Sequence, residues 1–143
     1  MPYFEGSESF GKPLFHAKEF CSRAYEVKDV KNAIVVGGAK SAYDVAYAMV
    51  DAGAQVNLIV KLETNGPVWI APRWVTPLKA RIDKTLTINY DNYPETKKLK
   101  PWYDVFWISS GLSILNFNKD FFDLVCDGKI RVHIDNVKRL KPG

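Results

Sequence analysis

Four apolar residues, Ala33-Ile34-Val35-Val36, run without interruption into Gly37-Gly38. An uninterrupted run closed by a turn signal reads as a strand buried on both faces of a parallel sheet. Directly after the glycines, Ala42, Val45, Ala46, Met49 and Val50 fall at i, i+3, i+4, i+7 and i+8. That stripe predicts an amphipathic helix from about Ser41 to Ala52, with Gly53 where a C-terminal cap belongs. Ala54 to Val60 then reads as a second strand. Strand, tight glycine turn, helix and strand over about 30 residues make a β-α-β unit, whose crossover is expected to be right-handed.

The expected fold class is therefore α/β: a Rossmann-like, three-layer NAD(P)-binding domain with a parallel sheet, flanked by irregular, loop-rich segments. The domain is placed at residues 31–143, after a linker-like segment over 1–30 that carries Gly6, Gly11, Pro13 and scattered aromatics. An irregular insertion is expected over about 62–104, where Gly66, Pro67, Pro72, Pro77 and Pro94 break any long element. One short helix is expected there, near Leu78 to Thr85. Beyond it, Val105 to Ile108 is apolar, Asp120 to Val125 reads as a short helix, and Asp127-Gly128 is a turn signal. Lys129 to Ile134 alternates polar and apolar residues, as a half-buried strand does.

A chain of 143 residues has room for about one domain. That excludes a complete flavoprotein with two dinucleotide-binding folds and a substrate region. With 20 Lys and Arg against 16 Asp and Glu, the net charge of +4 favours the approach of an anionic ligand. Lys97, Lys98 and Lys100 beside Pro101 read as a solvated loop and not as a nucleic-acid contact. Cys21, Cys126, His16 and His133 follow neither metal-ligand nor disulfide-framework spacing, so no metal site is assigned. No apolar run is long enough for a membrane helix and no signal peptide opens the chain; the expected location is the cytoplasm, with no membrane partner.

Chemistry points to the glycine turn. In a dinucleotide-binding turn the first glycine allows the sharp bend, the second lets backbone approach the pyrophosphate, and the third position must be small for helix-on-strand packing. Here those positions hold Gly37, Ala39 and Ala42, so Ala39 sets a methyl where the pyrophosphate comes close. The following helix start supplies free N–H donors and a positive dipole end. Gly37, Gly38, Ala39, Lys40, Ser41 and Ala42 are accordingly the candidate cofactor-binding residues. Lys61, at the end of the second strand, stands where NAD-type sites carry an acid, and so points to the 2′-phosphate of NADP(H). Lys40 is a candidate second phosphate contact, and ordinary solvated lysines remain the alternative for both. Asp44, one turn into the helix, is read as a dipole partner and not a catalytic acid.

Gly37-Gly38-Ala39-Lys40-Ser41-Ala42-Tyr43-Asp44 resembles the NADPH-binding G-x-G-x-S-A-x-D motif of flavin-containing monooxygenases and related Baeyer–Villiger enzymes, with Ala39 in place of the middle glycine. Phe10, His16 and Phe20 match their F-x-G-x-x-x-H-x-x-x-[YFW] fingerprint, while Lys12 stands where the glycine is expected. Gly128-Lys129-Ile130-Arg131-Val132 is similar to the G-x-I-x-V strand that leads such enzymes back to their flavin domain. The resemblance implies an oxidoreductase scheme in which NADPH reduces bound FAD and the reduced flavin activates oxygen to oxygenate a heteroatom or a ketone. It also implies that His16 is at most a positioning residue; a packed loop histidine is the other reading. No G-x-G-x-x-G opens the chain, so the expectation is a fragment, truncated product or split subunit, inactive alone and completed by an FAD-binding part or by self-association. No catalytic residue is assigned.

Two rival classes remain. A short-chain-dehydrogenase-like NADP oxidoreductase needs Tyr-x-x-x-Lys on one helix face, and Tyr93 and Lys97 have that spacing. However, Asp91-Asn92-Tyr93-Pro94 reads as a turn with any helix beginning only at Pro94. A non-catalytic nucleotide-binding or interaction module would use Trp69, Trp74, Trp102 and Trp107 as interface residues, where the alternative is that they fill a core.

Overall fold

The computed structural model describes residues 2–72, 90–104 and 112–142. Strand β1 (Asn32–Val36), helix α2 (Lys40–Asp51) and strand β2 (Gln55–Val60) follow one another, after a short helix α1 (Phe20–Arg23). β1 and β2 pair in parallel, Ala33 opposite Val56 and Val35 opposite Leu58, as a β-α-β unit requires. Helix α2 ends in a Schellman cap: Gly53 has φ +92°, its N–H donates to the Val50 carbonyl, and the Ala54 N–H reaches back to Met49.

Further along lie β3 (Trp69–Pro72), helix α3 (Pro94–Lys97), β4 (Leu112–Leu115), helix α4 (Phe121–Cys126) and β5 (Ile130–Ile134). Asp120 caps α4, its carboxylate accepting from the Phe122 N–H at 2.8 Å. β5 joins β2 in parallel, giving the order β1-β2-β5, and β3 pairs with β4 in a separate parallel pair.

Pleating sends alternate residues of the three-stranded sheet to opposite faces. One face presents Val35, the buried Val56, Leu58 and Val60, and Ile130 and Val132. Helix α2 packs against β1 and β2, and α4 packs against β5. Ala42, Tyr43, Ala46 and Met49 from α2 and Phe121, Phe122, Leu124 and Val125 from α4 complete that core, with Phe20, Val27 and Val30 packed against it.

Here two expectations are corrected. The run Ala33–Val36 is not buried on both faces: Ile34 is 64% exposed and Val36 38%, because among the described residues the helices cover one face of β1 and not the other. The stretch after β2 is not merely irregular either, since Trp69–Pro72 pairs with Leu112–Leu115 as a strand. The glycine-proline breaks at Gly66-Pro67 frame this short strand instead of preventing it. Among the described residues the architecture is thus mixed α/β with a three-stranded parallel sheet. The helix expected near Leu78 to Thr85, the apolar run Val105 to Ile108, Trp74 and Trp107 lie outside the described residues.

Candidate functional site

The C-terminal ends of β1 and β2 lie at one edge of the sheet because the strands are parallel. Ligand sites of open α/β sheets form at such edges. At this edge β1 turns into α2 through Gly37, whose φ of +147° is one that L side chains rarely adopt. The Gly37 N–H still donates to the Ile59 carbonyl at 2.9 Å, so the turn begins in register with β2. A Cβ on Gly37 would stand 3.1 Å from the Ala42 Cβ. First glycine and third small residue are therefore used together: the helix packs so closely on the turn that neither position has room to grow.

Ala39 is the N-cap of α2, in extended backbone and with no side-chain cap. The Ala42 and Tyr43 N–H groups donate to the Ala39 carbonyl, at 2.9 Å and 3.2 Å. Ala39, Lys40 and Ser41 are all exposed, so the first N–H groups of the helix open to solvent with the positive dipole end behind them. Lys40 is less free than its position suggests. Its ammonium donates to both carboxylate oxygens of Asp44 at 2.8 Å, an i, i+4 pair along the exposed side of the helix. Asp44 is thus the partner of a side chain one turn away.

Lys61 follows Val60 at the same sheet edge and is half-buried. Its carbonyl accepts from the Thr64 hydroxyl at 2.8 Å, which shapes the loop after β2. Asn136, just past β5, ties that loop down: its Oδ1 accepts from the Leu62 N–H at 3.1 Å and its Nδ2 donates to Glu63 at 3.3 Å. Glu63, the acid nearest the strand end, is thereby engaged with Asn136.

Gly38 faces inward. A Cβ there would meet the Pro67 Cα at 3.1 Å and the Gly66 carbonyl oxygen at 3.2 Å, so a strap of residues 66–68 lies across it. The Val68 N–H donates to the Gly38 carbonyl at 2.8 Å, and the Tyr43 hydroxyl donates to the same oxygen at 2.8 Å. Tyr43 is fully buried, its ring tilted against Phe121 at 5.2 Å. Burial pushes its phenol well above the ordinary tyrosine range, tempered by the Val68 amide, so it remains a neutral donor. The strap leads straight into β3, where the Ile70 N–H donates to the buried Tyr90 hydroxyl at 2.7 Å.

Neither the strap nor Tyr43 was identified from sequence. The signal within reach was a tyrosine on the apolar side of the helix, one turn after two glycines. His16 is exposed and caps a 3-10 turn, Ala17–Glu19: its Nδ1 accepts from the Lys18 N–H at 3.1 Å while Glu19 accepts from the His16 N–H. It is a capping residue, not a packed loop histidine, and the turn it caps lies against α2. Tyr93 sits in extended backbone ahead of the four-residue helix α3, so it shares no helix face with Lys97. Lys97 and Lys98 are exposed, and Lys100 pairs with Asp91 at 2.9 Å. Trp69 is buried in the core, whereas Trp102 is 45% exposed and lies against Gly66. Among the described residues no cluster of His, Cys, Asp and Glu has a metal-holding arrangement, and no helix is long and apolar enough to cross a membrane.

Comparison with known proteins gives distant, partial likenesses. The chain is 36% identical over 61 residues to the FAD-dependent monooxygenase DEP4 of Fusarium langsethiae, covering 42% of this chain and 10% of that protein. It is 30% identical over 76 residues to the FAD-dependent monooxygenase rstn6 of Aspergillus nomiae, covering 50% and 13%. A longer match, 24% identical, links 95% of the chain to 32% of the FAD-dependent monooxygenase DEP4 of Alternaria brassicicola. The chain therefore spans between about a tenth and a third of the length of these relatives. No family model matches it, and no solved structure matches it at significance. These likenesses support kinship with FAD-dependent monooxygenases.

Proposed function

We propose that the chain forms the NADPH-binding portion of an FAD-dependent monooxygenase that oxygenates a heteroatom or a ketone of a small organic substrate. The observation that carries this reading is the junction of β1 and α2. Gly37 lies in close packing with Ala42, and the uncapped helix start at Ala39, Lys40 and Ser41 opens to solvent. Such a junction fits a pyrophosphate by chemistry: free N–H donors and a dipole end of the right sign, with only the Ala39 methyl standing at the turn.

In this reading the exposed helix start at Ala39 to Ser41 receives the pyrophosphate, with Gly37 and Gly38 shaping the turn behind it, and Lys61 takes the 2′-phosphate at the neighbouring strand end. Lys40 contributes only by leaving Asp44. NADPH held there would supply a hydride to a flavin, and the residues of this chain would bind and orient the nucleotide. Because the relatives are several times longer than the matching stretch, the flavin site and the substrate contacts are assigned to a part of the enzyme outside this chain, which is inactive alone.

The test is titration of the purified chain with NADPH and with NADH, read by thermal shift and by direct binding, since a ligand selective for the folded state raises its stability by mass action. Preferential binding of NADPH, weakened about tenfold or more in Lys61→Ala, is the expected result for loss of a charge-assisted phosphate contact. Absence of binding by either nucleotide sinks the reading, and an unchanged preference in the variant removes Lys61 from the 2′-phosphate.

A further inference from the structure

Resting on that reading, we propose that Tyr43 is a positioning residue whose hydroxyl fixes the Gly38–Ala39 peptide so that the Ala39 N–H is aimed at the nucleotide's pyrophosphate. A trans peptide points its C=O and its N–H in opposite directions. Whatever holds the Gly38 oxygen therefore also sets the direction of the Ala39 N–H. Two donors hold that oxygen, the Tyr43 hydroxyl and the Val68 N–H, each at 2.8 Å and both on the inner side of the turn. Gly38 packs closely under the strap, where a Cβ would stand 3.1 Å from the Pro67 Cα and 3.2 Å from the Gly66 oxygen. The amide on the far side of the plane belongs to Ala39, which is exposed and stands beside the open N–H groups of Lys40 and Ser41.

Glycine at position 38 makes such a clamp necessary. A peptide that follows two glycines is free to rotate, and in the absence of the clamp its N–H would have to be ordered by the ligand itself. The tyrosine supplies order in advance from a rigid place, since its ring is fully buried against Phe121 and its own helix begins at the turn. Tyr43 touches no reacting atom in this account and acts only through the peptide.

The experiment uses the full chain and Tyr43→Phe, which keeps the ring and deletes the hydroxyl. Two probes are titrated against both proteins at a temperature where both are folded: NADPH, and adenosine 2′-monophosphate, which carries the 2′-phosphate and no pyrophosphate. The expected result is NADPH binding weakened about tenfold with adenosine 2′-monophosphate unchanged. Equal weakening of both probes would mean a purely structural tyrosine and would overturn the proposal, as would unaltered NADPH binding.

Should the variant not fold, the wild-type chain decides. With 15N labelling, the Ala39 amide resonance is expected to move on addition of NADPH and to stay in place with adenosine 2′-monophosphate; an Ala39 amide indifferent to NADPH that binds elsewhere refutes the clamp. Wild-type chain that binds neither nucleotide defeats the nucleotide reading itself, an outcome visible before any variant is made.

Discussion

The two faces of the three-stranded sheet are made from the same strands yet live under different conditions. Val35, Leu58 and Val132 form a row across the strands on the face under α2 and α4, and all three are buried. One residue earlier in each strand, Ile34, Asn57 and Arg131 form the corresponding row on the other face. There Ile34 is largely exposed, and Asn57 and the exposed His133 contact each other at 2.9 Å instead of packing. The difference teaches that apolar character in β1 reports the capacity to be covered, and that the helices decide which half of it is used.

The sharpest way to break this comparison is Leu58→Ala. Truncating a fully buried central residue removes transfer energy and leaves a cavity, so a loss of about 2–5 kcal/mol is expected in denaturant unfolding. A loss under 1 kcal/mol would mean that the core under α2 is loose.

A smaller effect is expected at the end of the helix that covers β5. Asp120→Ala deletes the side-chain acceptor for the Phe122 N–H, and should cost about 1 kcal/mol in the same measurement. Retention of full stability would show that α4 is held by Phe121, Phe122, Leu124 and Val125 and not by its cap.

Least sensitive should be Ile34→Thr on the open face, which keeps a β-branched residue in the strand and is expected to stay within about 0.5 kcal/mol of the parent. If it costs as much as Leu58→Ala, that face is covered in solution and the contrast between the faces collapses.

The parts legible in the sequence were those whose signals are local. Gly37 and Ala42 are five residues apart, and the need for a small residue at both follows from one turn of backbone. The stripe of α2, its glycine cap and the alternation of β5 are likewise short-range patterns. β3 and β4 were not legible because each is four residues long, flanked by breakers or loops, and becomes a strand only by pairing across some forty positions of sequence. The helix expected from about Ser41 begins at Lys40, and the i, i+4 spacing of Lys40 and Asp44 marks a side-chain pair where the sequence reading gives Asp44 a role toward the helix dipole.

By itself the sequence determined the strand-turn-helix-strand unit, because glycine sterics, side-chain period and capping act within a few bonds. Tertiary structure alone decided which face of β1 is covered and which donors hold the Gly38 oxygen. Tyr43 and Val68 reach that oxygen from different elements, separated by the whole of β2 and the loop that follows it. Their meeting depends on the strap crossing the turn, a contact that no local pattern encodes.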